Sequence, residues 1–189
     1  MPSGITHDRI TLWTLPWIAG IGYGITQNGE LTLILSGGFL FSGLMFGPDL
    51  DIHSIQYKRW GAFKRIWLPY RNFFHHRSLF SHGPILGTLI RVLYLLSLVT
   101  FIAIITVGIA QLLWGFPWNW QKFALEQLNL LTNRYWSETV TLFLGLELGS
   151  MSHSISDFVG SNKKRRLRKK KQSKAIKVTK LGKISKIKR

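Results

Sequence analysis

A chain of 189 residues that is 46% hydrophobic is too apolar for wholesale disorder and long enough for one domain with an appendage. The net charge of +17 suggests a nucleic-acid binder until it is apportioned: residues 1–160 hold ten Lys/Arg against eight Asp/Glu, whereas residues 163–189 hold fifteen basic residues and no acid. There is no cysteine, which excludes disulfides and thiolate sites, so any metal must be held by His, Asp or Glu.

In chain order, the N-terminus has one basic residue, Arg9, beside Asp8 and no small-residue cleavage site after the apolar run, which predicts no cleaved signal peptide. Residues 10–26 are uncharged, Gln27-Asn28-Gly29-Glu30 reads as a turn, and residues 31–47 are uncharged again. Together they predict a helical hairpin, each arm just long enough to span a bilayer. Gly43 and Gly47 leave a small-residue notch for a close helix approach. The polar middle, residues 49–84, mixes Lys58, Arg59, Lys64 and Arg65 with Tyr57, Trp60, Trp67 and Tyr70, a mixture suited to the headgroup level of a membrane. The alternative is a loop packed on its own aromatics.

Residues 92–114 form 23 uncharged positions without proline, the strongest transmembrane candidate in the chain. An aromatic break, Phe116-Pro117-Trp118-Asn119-Trp120, precedes a polar stretch that predicts a short helix. Residues 139–152 are apolar again and enclose Glu147, which must face a polar interior. At Gly160-Ser161-Asn162 the composition turns to Lys/Arg, which predicts a domain over 1–160 and a disordered basic tail over 161–189. The tail has no aromatics for base stacking, so anionic membrane lipid is its expected partner and nucleic acid is not.

The fold class expected is all-α, a membrane-associated bundle of about four apolar helices. If all four cross, the positive-inside rule places residues 49–84, the N-terminus and the tail in the cytoplasm. His7, Asp49 to His53, His75 to His82, and His153 with Asp157 then emerge on one face. A soluble helical protein would also bring these segments together.

That face holds the ligand types for zinc or another first-row divalent ion. In Pro48-Asp49-Leu50-Asp51 an extended backbone points both carboxylates the same way, to bridge two ions, or to let one bind metal and Asp51 act as base. His75-His76-Arg77 followed by His82 places three histidines and an arginine within eight residues, with Arg77 suited to an anionic phosphoester. His153 and Asp157, four apart on a helix, share a face, and both touch one ion or Asp157 orients the ring.

A leading His, Pro-Asp-x-Asp, His-Arg with a second His, and a late His-x-x-x-Asp resemble the YdjM-like family of membrane-bound, metal-dependent hydrolases. Gly47-Pro48-Asp49-Leu50-Asp51-Ile52-His53-Ser54 and His76-Arg77-Ser78 to Ser81-His82-Gly83-Pro84 are similar to a group of cyanobacterial proteins described as metal-binding. The resemblance covers residues 4–160 and implies metal ligation by His7, Asp49, Asp51, His76, His82, His153 and Asp157. Two departures stand out: Ile52 separates the motif from His53, and the His76 to His82 interval is one residue longer than the family form. A metal-dependent hydrolase at the cytoplasmic membrane surface is therefore the expectation. The alternative is a non-catalytic membrane protein that binds metal for structure, sensing or transport.

Overall fold

The computed structural model describes residues 4–74 and 78–187, so His75, His76 and Arg77 lie outside the described residues. Every described element is helical: α1 (Gly4–Thr26), α2 (Gly29–Leu44), a 3-10 turn (Pro48–Asp51), α3 (Ile55–Arg59), a 3-10 segment (Gly61–Trp67), α4 (Leu68–Phe73), α5 (Leu79–His82), α6 (Leu86–Trp114), α7 (Trp120–Asn129), a π turn (Leu130–Arg134) and α8 (Trp136–Ile187).

The expected hairpin forms from α1 and α2. Asn28 caps α2, its Oδ1 accepting from the backbone N–H of Glu30 at 2.9 Å and of Leu31 at 3.2 Å, and Glu30 adds a favourable charge in the first turn. Gly43 does mark a close approach, to Thr11 of α1, but Gly47 meets only the Gln56 side chain. The tightest backbone crossing lies elsewhere, between α2 and α8. A Cβ on Gly145 would stand 2.4 Å from the Leu35 carbonyl oxygen, and one on Gly149 would stand 2.4 Å from that of Phe39. These two glycines, one helical turn apart on α8, let α2 lie directly against the backbone that carries His153 and Asp157.

Beneath the Pro48–Asp51 turn sits the core: Phe46, Leu50, Tyr57, Trp67, Tyr70 and Leu146. Phe46 and Tyr70 meet the Trp67 ring edge-on at 5.6 and 5.7 Å between centroids. Tyr57, Trp67 and Tyr70 are thus core residues, the arrangement of a segment packed on its own aromatics. The Trp60 indole N–H donates to the Met45 carbonyl at 2.9 Å.

Of the four apolar stretches, two lie in helices long and apolar enough to cross a membrane, Gly29–Asp51 and Leu86–Trp114. No residue in the apolar window of the second is fully buried by the rest of the chain. A helix that is apolar all round and largely exposed has the character of a membrane span. Gly115, at φ 65°, ends it with a left-handed cap. In α1 the early charges Asp8 and Arg9 pair or reach solvent, and α8 has only a short apolar segment before its polar half.

Beyond Gly160, where composition predicts disorder, α8 continues unbroken to Ile187. Lysine and arginine are good helix formers, and no proline follows Pro117.

Candidate metal centre

Four segments distant in sequence meet: the start of α1, the Pro48–Asp51 turn, the end of α5 and the stretch of α8 around His153. The turn is 3-10 rather than extended: Pro48 occupies its first position, and the Leu50 and Ile52 N–H groups donate to the Gly47 and Asp49 carbonyls at 3.4 and 3.3 Å. Leu50, buried completely, pins the turn to the core and leaves Asp49 and Asp51 on the site side. Because the turn winds the chain, the two carboxylates do not act as a parallel pair. They engage different nitrogens of one ring: His82 Nε2 lies 3.7 Å from Asp49 Oδ1, and His82 Nδ1 lies 3.8 Å from Asp51 Oδ2.

On the other side, His7 and His153 stack at 3.9 Å between ring centroids, 19° from parallel. His7 Nε2 lies 3.2 Å from Asp157 Oδ1, and His153 Nε2 lies 3.2 Å from Asp49 Oδ2. Despite these distances, His153 Nε2, Asp49 Oδ1 and both Asp157 oxygens are buried with no hydrogen bond among the described residues. Orphaned buried polar atoms are costly, so several converging on one volume mark a place for a cation.

The tautomer of His7 is coupled to its other partner, Ser156. Ser156 Oγ lies 3.0 Å from the His153 carbonyl oxygen and 2.6 Å from His7 Nδ1. With the hydroxyl proton on the His153 carbonyl, Ser156 Oγ accepts from His7 Nδ1–H and the Nε2 lone pair faces the Asp157 carboxylate; with that proton on Nδ1, Nε2–H donates to Asp157 instead. In the first arrangement two acceptors in apposition repel unless a positive charge stands between them. Ser156 therefore orients a candidate metal ligand, and Ser156→Ala should lower metal affinity by about 10- to 100-fold, as measured by chelator competition, with helicity unchanged.

Burial, seconded by the neighbouring His153 ring, pushes the His7 imidazole below its usual value of 6.5 in spite of Asp157. A neutral ring is the form that ligates. The sign for stability follows: below 6.5 the unfolded chain takes up a proton that folded His7 resists, so metal-free protein loses stability as pH falls through that window. Thermal melting in chelator from about pH 7.5 to about pH 5.5 should show it, with a slope up to about 1.4 kcal/mol per pH unit from this group. His7→Asn should flatten the profile; an equal slope in the variant would remove His7 as its source.

Within reach of one another, then, are His7, Asp49, Asp51, His82, His153 and Asp157. His76 and Arg77 lie outside the described residues. The remaining polar groups of the sequence are used elsewhere. Asp8 forms a two-pronged pair with Arg59, at 2.9 and 2.5 Å, that braces α1 against α3. His53 is exposed and meets Tyr57 edge-on at 5.2 Å. Buried Glu147 accepts from the Ile85 N–H at 2.9 Å, holding a left-handed residue, φ 61°, at the head of α6.

Three supporting residues escape a reading of the sequence. Fully buried Arg91 donates to the Ser81 carbonyl at 2.9 Å, Thr88 Oγ1 at 2.9 Å and Ser150 Oγ at 2.7 Å, which fixes the segment before His82 to α8. Gln56 Nε2 donates to the Gly43 carbonyl at 2.9 Å and stands 3.5 Å from His153 Nδ1, too long to set that ring's tautomer. Only Ser156 had a signal, its place three residues after His153 on the same helical face.

Residues 2–167 match a protein family described as "Uncharacterized metal-binding protein (DUF2227)". A stretch of 59 residues is 41% identical to an uncharacterized protein of Aquifex aeolicus (strain VF5), covering 31% of this chain and 41% of that protein. No solved structure matches the chain.

Proposed function

Because the chain belongs to this family of metal-binding proteins, we propose that it is a metal-dependent hydrolase whose His/Asp centre acts on a phosphoester at a membrane surface. The observation that supports it most is the buried apposition of His7 Nε2 and Asp157 Oδ1 at 3.2 Å, beside a stacked second imidazole. His7, His153 and Asp157 offer ligand atoms within 4.8 Å of one another, a two-imidazole, one-carboxylate set that leaves a position for water. Zinc suits such nitrogen and oxygen donors, as do other first-row divalent ions. An ion held there supplies Lewis acidity and an activated water.

The chain's own groups do the rest. Ser81 Oγ, 2.9 Å from His82 Nδ1, is the group positioned to orient that ring, and Asp51, 3.8 Å from the same nitrogen, adds a negative charge beside it. A cavity of about 180 Å³ opens beside His82, between Pro84 and the Glu147, Ser150 and Ser154 side of α8, with room for a small polar headgroup. Arg77 is assigned to neutralise an anionic substrate. The resemblance to YdjM-like hydrolases points the same way.

The exposed apolar surface of α6 supports a place in the membrane; a cytoplasmic centre, N-terminus and tail follow from the positive-inside rule if α1 and α8 cross as well. The tail of residues 163–189 is assigned to anionic lipid headgroups. Its deletion should weaken flotation with vesicles containing anionic lipid and leave metal content unchanged; a loss of metal would show that the tail belongs to the site.

The deciding experiment is elemental analysis of detergent-purified protein joined to a screen of phosphoester, amide and lipid-ester substrates. Bound divalent metal and a phosphoesterase activity lost in Asp51→Ala are expected. Protein that retains no metal, with Asp51→Ala indistinguishable from wild type, sinks the reading. Metal without turnover favours a structural or sensing site.

A further inference from the structure

The carboxylates of the centre are shared in a way that one ion does not use. Two sets of ligand atoms each lie within 4.8 Å of one another, His7, His153 and Asp157 in the first, Asp49, His82 and Asp157 in the second. Asp157 belongs to both. It is more than nine-tenths buried, and neither of its oxygens has a hydrogen bond among the described residues. Oδ1 faces His7 Nε2, which leaves Oδ2 for a different partner.

Asp49 is divided in the same manner. Its Oδ2 stands 3.2 Å from His153 Nε2, in the first set, and its Oδ1 stands 3.7 Å from His82 Nε2, in the second. Asp49 thus presents one oxygen to each group of imidazoles, and Asp157 has a ligand atom within reach of both. A carboxylate used in this way bridges two ions about 3.5–4 Å apart, the spacing of two-metal hydrolytic sites.

From this geometry we propose that the centre holds two divalent ions, one on His7 and His153 and the other on His82, with Asp157 and Asp49 as the bridges between them. The sequence left Asp49 and Asp51 either to bridge two ions or to divide metal binding and base between them; the 3-10 turn separates them, and Asp51 stands beside His82. Charge fits the same number. The three aspartates contribute three negative charges against neutral imidazoles, so two ions leave one positive charge, the sign that attracts a phosphoester.

The inference rests on the metal-binding reading of this site and is independent of hydrolysis. Metal-free, full-length protein in detergent is titrated with Mn(II), with bound ion counted by elemental analysis and the pair observed by electron paramagnetic resonance. Two equivalents per chain and an exchange-coupled Mn(II) pair are expected in the wild type. His7→Ala and His82→Ala should each retain one uncoupled equivalent, and Asp157→Ala should fall below one. The wild-type count and coupling require no variant to fold. A single equivalent with an uncoupled spectrum overturns the proposal, as does a coupled pair that survives in His82→Ala. Turnover by a one-ion protein would overturn it while leaving the hydrolase reading intact, and two coupled ions without turnover would do the reverse.

Discussion

Gly149→Ala is expected to destabilise the protein by about 3 kcal/mol or more and to empty the metal centre with it. In a helix interior this exchange ordinarily stabilises, by up to about 1 kcal/mol, because glycine loses more conformational freedom on folding. Here the added Cβ would stand 2.4 Å from the Phe39 carbonyl oxygen, 2.8 Å from Ser42 Cβ and 2.9 Å from the Gly43 nitrogen. Two of those three atoms are backbone, so no change of rotamer relieves the contact; α2 and α8 must separate. His153 lies one helical turn beyond Gly149, so the separation also displaces the ring from Asp49. Gly108→Ala in α6 is the control, since a Cβ there meets nothing within 4 Å. Melting temperature in detergent and metal content should fall together in the first variant and hold or rise in the second. Equal melting of the two variants would refute the close crossing.

His153→Ala should reduce metal affinity by about 100-fold or more, beyond what the loss of an orienting group such as Ser156 costs. Three interactions end at once: a ligand nitrogen, the face against which His7 stacks, and the contact of Nε2 with Asp49 Oδ2 at 3.2 Å. The side chain is 4% exposed, so its removal opens a cavity that no neighbouring loop can fill. His53→Ala is the matched control, because His53 is exposed and away from the centre. Competition against a chelator of known affinity separates the two. An affinity for His153→Ala within a few-fold of wild type would exclude His153 as a ligand.

Much of the site was legible in the sequence because its residues are rare there. Only eight acidic residues and six histidines occur in the chain, and the long apolar stretches leave few places where a charge is tolerated. Asp49 and Asp51 after a proline, and His153 with Asp157 one helical turn apart, stand out against that background. The turn at Asn28, the hairpin of α1 and α2, the aromatic break before α7 and the all-helical class follow from local rules of capping and periodicity.

What stayed hidden depends on contacts between segments far apart in the chain. Arg91 reads as a charge at the edge of an apolar helix, yet it is fully buried and ties Ser81 to Ser150. Asp8 reads as a neighbour of His7, yet the helix turns it outward to Arg59, one residue's rotation being about 100°. Gly145 and Gly149 look no different from Gly20 or Gly24, which face open space; only the packing of α2 against α8 gives them a role.

By itself, then, the sequence determined which residues are candidate ligands, the exclusion of thiolate chemistry, the helical class and the basic C-terminal segment, because composition and short-range periodicity carry that information. The tertiary structure decided which imidazoles face which carboxylate, that the Pro48–Asp51 turn splits its two aspartates, and that a glycine-lined helix crossing sets their distance from His153. Those depend on how rigid helices pack, and packing is fixed by the contact of surfaces that no local stretch of sequence contains.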